Sequence, residues 1–203
     1  MIAFSLWALV GLGFGVVVVR QRSLAVGLVT LQALILVGIA LDKAESTNDV
    51  VAAVALACRA LALAALFLWL AARTRESRPV RAGADPFLRA AAGVTLALVL
   101  TWLMPSLGLA TRDAERASIA LVAFGLAIVA LGRATLFQVL GVVAAENGLA
   151  LAALELPRAP ALVIELGVTL DLTLIALVAA AFHTWIFAEF GTTDSSVLRG
   201  LRD

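Results

Sequence analysis

Apolar residues in this chain come in runs of roughly twenty, each closed by a short cluster of charged or turn-forming residues. Such runs fall near 2–19, 23–41, 50–72, 88–110, 117–132, 134–156 and 160–187. About 20 mostly apolar residues are what a helix needs to cross the hydrocarbon of a bilayer. The pattern therefore predicts an all-α membrane protein, a bundle of about seven transmembrane helices. The fifth run is short, and only Gly132 and Arg133 part it from the sixth. If that pair is a tight turn the count is seven; if it interrupts one longer helix the count is six.

The first run reads as a span and not as a cleaved signal peptide. Residues 1–19 hold no Lys or Arg, and no small-x-small cleavage site precedes Arg20, Gln21 and Arg22. Its Gly11, Gly13 and Gly15 superficially resemble a dinucleotide-binding loop, but no strand precedes them; small residues for close helix packing are the better reading.

Composition strengthens this picture and excludes other classes. Of 203 residues, 63% are hydrophobic and 14% charged, with a mean hydropathy of +1.08. A soluble domain carries about 25% charged and about 45–50% apolar residues, so nothing here is large enough to form a soluble core of its own. A net charge of +1 gives no sign of nucleic acid or an acidic substrate. A single cysteine, Cys58, precludes an internal disulfide and a four-thiolate iron–sulfur site. One histidine, His183, is too few for a haem pair or a multi-histidine metal cage. No cofactor is expected, and the chain is not expected to carry electrons or to catalyse a reaction alone.

Orientation follows from Lys and Arg in alternate loops. One set holds Arg20, Arg22, Arg73, Arg75, Arg78, Arg81, Arg89, Arg133, Arg199 and Arg202; the other holds Lys43, Arg112, Arg116 and Arg158. Ten against four puts the N-terminus outside and the C-terminus in the cytoplasm. The chain divides into four spans over 1–110, three over 111–187 and a cytoplasmic tail over 188–203, with no internal repeat visible. Trp7, Trp69, Trp102 and Trp185 all fall toward span ends, as an interfacial aromatic belt requires.

Ionisable residues inside spans carry the chemistry. Each costs about 2.5–3.5 kcal/mol on the insertion scale, so it persists only with a partner, a hydrated cavity or a function. Glu146 lies near the middle of its run, in Ala145-Glu146-Asn147-Gly148. Burial raises a carboxyl pKa toward the range where it exchanges protons; the competing reading is a structural carboxylate paired with an arginine. Glu165 lies nearer the outer end of the last run and Asp171 near its middle. Six residues apart on a helix, they face about 120° apart and do not share a site. Asp171, the deeper of the two, is the better functional candidate. Arg59, central in the third run, has Glu146 or Asp171 as its natural counter-ion, in a static salt bridge or a switchable relay. His183, beside Trp185 near the cytoplasmic end, is placed to anchor at the interface or to pass protons onward.

The C-terminal stretch is more specific than composition. Gly132-Arg133-Ala134 leads to Gln138, Gly141 and Glu146-Asn147-Gly148. After Pro160 comes Leu162-Val163-Ile164-Glu165-Leu166-Gly167-Val168-Thr169-Leu170-Asp171, and the tail has Phe190-Gly191-Thr192-Thr193-Asp194, Leu198 and Leu201-Arg202-Asp203. From Gly132 onward this resembles the E component of hydrogenase-4, a membrane subunit of complex-I-like hydrogenase and formate-hydrogenlyase assemblies. Residues 1–130 agree with that family only in hydropathy and span layout. The family's C-terminal half is similar to the K-type subunit of complex I and to the C-type subunit of multisubunit sodium/proton antiporters. The resemblance implies a multi-pass subunit of a bacterial or archaeal cytoplasmic membrane. Its partners would be the lipid bilayer, antiporter-like subunits and the subunits that anchor the hydrogenase module. In the K-type subunit buried glutamates lie on a hydrated axis joining the redox module to antiporter-like subunits; by the resemblance Glu146 falls where the family's Glu-Asn-Gly occurs, and Glu165 and Asp171 fall on its Glu…Asp helix. One departure is Arg59, where the family leads one to expect lysine. Arginine stays charged, which suits it to holding a carboxylate and not to relaying a proton itself. Two rival readings remain beside proton translocation: a scaffold whose buried charges are fixed salt bridges, and an independent secondary transporter. Transporters of that kind often show inverted repeats and Pro- or Gly-broken spans, which this chain lacks: its prolines, at 79, 86, 105, 157 and 160, lie in loops or at span ends.

Overall fold

Local chemistry at the chain's polar breaks sets where each helix begins and ends. The computed structural model describes residues 2–73, 85–132, 134–156 and 161–190. Within them lie α1 (Ile2–Val18), α2 (Arg22–Asp42), α3 (Thr47–Arg73), α4 (Pro86–Leu103), α5 (Arg112–Leu131), α6 (Thr135–Glu155) and α7 (Ala161–Phe190). Ser46 and Asp49 form a reciprocal cap for α3: Ser46 N–H donates to Asp49 Oδ2 at 2.9 Å, and Asp49 N–H donates to Ser46 Oγ at 3.3 Å. Pro86 occupies the first turn of α4, and Asp85 Oδ1 accepts from the Phe87 N–H.

Two boundaries differ from the hydropathy reading by more than a helical turn. α4 stops at Leu103 and not at 110, because Pro105 holds Met104 extended (φ −77, ψ 134). α5 starts at Arg112 and not at 117, because Thr111 caps it by accepting from the Ala114 N–H, and Asp113 and Glu115 suit the positive end of the helix. The loop between them folds back onto that turn. Glu115 accepts from Leu107 N–H and Ser106 Oγ, while Gly108 takes the left-handed conformation (φ +68) that the reversal needs. Gly132 settles the other question: it is extended (φ −73, ψ 126), so α5 and α6 are separate helices and the count is seven.

Six of these helices are long and apolar enough to cross a membrane; α1, with 17 residues, is slightly shorter. The chain is a multi-pass α-helical membrane protein. All four tryptophans are exposed on the bundle surface, Trp7 and Trp102 toward one end and Trp69 and Trp185 toward the other, as an aromatic belt at each interface requires.

The helices pack as two layers of three. α1, α2 and α3 lie side by side, as do α5, α6 and α7, and the layers meet as α1 on α5, α2 on α6 and α3 on α7. α4 closes one edge against α5 and α1, leaving α3 and α7 at the other. The tightest contact is α5 against α6. A Cβ on Gly125 would stand 2.5 Å from Ala145 N and Gly141 O, and one on Gly148 would stand 2.9 Å from Ser118 O. Only hydrogen at these positions lets the backbones meet, the small-residue packing by which helices associate in lipid. Of the three α1 glycines, Gly13 serves such packing, against Leu121 and Phe124. Gly15 faces only Leu28, and Gly11 has nothing within 4 Å. At the end opposite Arg20 and Arg89, Lys43 pairs with Glu155 at 2.6 Å, tying the end of α2 to the end of α6.

Candidate functional site

Inside a largely apolar core, four helices contribute polar groups at nearly one height. Gln32 of α2 is fully buried; its Nε2 donates to the Leu9 carbonyl of α1 at 3.1 Å, and its Oε1 accepts from Asn147 Nδ2 of α6 at 3.3 Å. Gly13 makes room for this, since a Cβ there would lie 3.0 Å from Gln32 Nε2. Beyond Asn147, a cavity of about 20 Å³ opens between α2, α3 and α6, lined by Thr30, Arg59, Asn147 and apolar neighbours including Phe67 and Leu140. That is room for one water beside three side chains able to hydrogen-bond it. Arg59 is 5% exposed, its charge facing this interior and not lipid.

The geometry makes the seam lateral. Leu9 is the eighth of 17 residues in α1, Gln32 the eleventh of 21 in α2, Asn147 the thirteenth of 21 in α6 and Arg59 the thirteenth of 27 in α3. All lie near the middle of their helices. The polar groups therefore run across the bundle toward its α3–α7 edge, parallel to the membrane plane.

The residues predicted from sequence distribute unevenly around this seam. Arg59 lies in it. Glu146 is half-buried on α6, next to Asn147 and about 100° round the helix from it. Of the two counter-ions expected for Arg59, neither Glu146 nor Asp171, which is exposed on α7, lines the cavity that holds Arg59. The side chain of Glu165 lies outside the described residues. His183 is 1% exposed, buried in the bundle and not anchored at its surface as an interface residue would be. Among the described residues no cluster of His, Cys, Asp or Glu could hold a metal ion.

Gln32 has no formal charge to mark it in the sequence. A lone amide in the middle of an apolar run carries the same signal, since an unbonded amide in hydrocarbon is costly. The strength of the Gln32–Asn147 bond is open to measurement. A double-mutant cycle with Gln32→Leu and Asn147→Leu, read by thermal unfolding in detergent, is expected to give a coupling of about 0.6–1.7 kcal/mol, the range for interhelical bonds in membranes. Strict additivity would mean the two amides do not act together.

No family model, curated protein or solved structure matches this chain.

Proposed function

We propose that this chain is a membrane-arm subunit of a complex-I-like respiratory assembly, of the group 4 hydrogenase or formate-hydrogenlyase type, and that its buried polar groups contribute to proton translocation. The observation that carries this reading is the lateral seam through Gln32, Asn147 and Arg59 at mid-height. A lone transporter needs a polar route between the two aqueous faces. A seam parallel to the membrane plane instead leads from one neighbouring subunit toward another. The half-buried carboxylate of Glu146 beside that seam is the group able to take up and release a proton, with the fixed charge of Arg59 biasing it. Asp171 stands at the edge to which the seam leads.

The test is proton pumping by the intact complex in liposomes, with Glu146→Gln and Asp171→Asn compared with wild type. Each substitution keeps shape and hydrogen bonding while removing titration. Pumping is expected to fall at least about tenfold, with subunit content unchanged. Normal pumping in both variants would favour the scaffold reading, to which the Lys43–Glu155 and Gln32–Asn147 contacts lend support as fixed ties between the layers.

A further inference from the structure

α4 lies at one edge of the bundle and α7, beside α3, at the other, and the outward faces of α4 and α7 differ in one respect. The exposed residues of α4 include Leu88, Val94, Leu98, Val99 and Trp102 together with Thr95 and Thr101, none of them charged. On α7 the residues Asp171, Ile175, Val178, Phe182 and Trp185 are all exposed, at spacings of four, three, four and three. That spacing lines them up along one face of a helix whose Leu174 and Leu177 are exposed as well, so Asp171 is what singles this face out. The ridge is about 21 Å long at 1.5 Å per residue, most of a membrane's hydrocarbon thickness. Asp171 is the eleventh of 30 residues in α7, about 15 Å from the helix start. Among the described residues no side chain of this chain forms a salt bridge or hydrogen bond with it.

A carboxylate on the outer surface of a span is tolerated only where something other than lipid meets it. A second copy of this chain does not supply what is missing. Pairing two α7 ridges about a two-fold axis would bring the two Asp171 carboxylates toward one another. The mid-span cation of this chain, Arg59, is buried among α2, α3 and α6 and cannot reach a neighbour.

From this we infer that the α7 ridge Asp171–Ile175–Val178–Phe182–Trp185 is a docking surface for a transmembrane helix of a different chain, and that this helix presents a lysine or arginine at the height of Asp171. The apolar positions supply van der Waals packing and Asp171 sets register and partner choice, as a single polar position does in a helix pair. The inference shares with the proposed function only the premise that the chain works beside other membrane chains; it holds whether or not protons move.

The experiment uses the assembly in native membranes. A photoreactive benzoylphenylalanine replaces Val178 on α7 and, as a control, Leu98 on α4, and the cross-linked peptides are identified by mass spectrometry. Val178 is expected to capture a transmembrane segment of another chain that contains Lys or Arg, while any adduct at Leu98 is unchanged by substitution of Asp171. Adding Asp171→Leu, which suits a lipid-facing position and so leaves the chain inserted, is expected to lower the Val178 adduct at least about tenfold. Asp171→Lys should do the same, and exchanging the partner's cation for Asp should restore the adduct. Adducts with lipid alone, with a second copy of this chain or with a segment lacking a cation would each overturn the inference, as would an adduct undiminished by Asp171→Leu. A captured partner together with normal pumping in Asp171→Asn would keep the docking surface and remove Asp171 from the proton path.

Discussion

Gly125→Ala is expected to be among the most damaging single-methyl changes in this chain. Its Cβ would stand 2.5 Å from two backbone atoms of α6, Ala145 N and Gly141 O, and 2.6 Å from Ala145 Cβ. Backbone cannot swing aside as the tip of a side chain can, so α5 and α6 must separate. Separation loosens the pair that holds the core around Leu121, Leu140 and Val143. Overpacking costs about 1–3 kcal/mol when side chains yield and more when backbone must move, so a loss of at least about 3 kcal/mol is expected. For a chain of this length that lowers the midpoint of thermal unfolding in detergent by about 6–12 °C. Gly141→Ala, with Gly125 O at 2.8 Å, should follow in the same direction. Gly27→Ala is the control: nothing lies within 4 Å of its added methyl, so a neutral or slightly stabilising change is expected. A Gly125→Ala protein as stable as Gly27→Ala would mean the two helices do not meet at this distance.

Lys43→Met is expected to have the second large effect, through the partner it leaves behind. The Glu155 side chain is 3% exposed and Lys43, at 30%, is its cation at 2.6 Å. Glu155 is also the last residue of α6, where the negative end of the helix dipole opposes a carboxylate. Lys43 additionally lies 3.4 Å from the Leu154 carbonyl, donating to one of the terminal acceptors of that helix. Removing one member of a buried pair costs about 3–5 kcal/mol; partial exposure of the lysine reduces this to about 2 kcal/mol. The double variant Lys43→Met with Glu155→Gln should recover most of that loss, because no buried charge is then left without its cation. Equal instability of the single and double variants would show that the pair ties α2 to α6 by packing alone.

Much of the architecture was legible because the membrane enforces it. Interior backbone groups must bond within their own helix, so each apolar run had to be a helix and each charged break had to be a turn. The tryptophans mark the interfaces for a different reason, their amphipathic rings, and the break at Gly132 is open in the sequence between a turn and an interruption until the extended backbone there decides it. Boundaries at 103 and 112 were misplaced because hydropathy continues through Leu107, Leu109 and Ala110, where Pro105 and Thr111 had already decided the backbone. Of the candidate site, Arg59 is legible as an intramembrane charge, whereas the pairing of the uncharged Gln32 and Asn147 is visible only in the bond that joins them. Nor did the sequence reveal that Asp171 faces outward while His183 faces inward on the same helix.

The physical reason is common to these failures. In a soluble protein one face of each helix meets water, so polarity marks the outside and periodicity reveals the core. Here both the core and the lipid are apolar, and helices such as α1 and α7 look alike on every side. By itself, then, the sequence determined a membrane-spanning chain, its helices, their ends and the residues too polar to lie in hydrocarbon unaided. Tertiary structure alone decided which faces meet. It stacked three helices on three and let α5 approach α6 through hydrogen atoms. It joined Gln32 to Asn147 across 115 residues of sequence and turned Arg59 inward and Asp171 outward. Those outcomes depend on which small and large side chains interlock between helices, and no run of residues read along one helix contains that information.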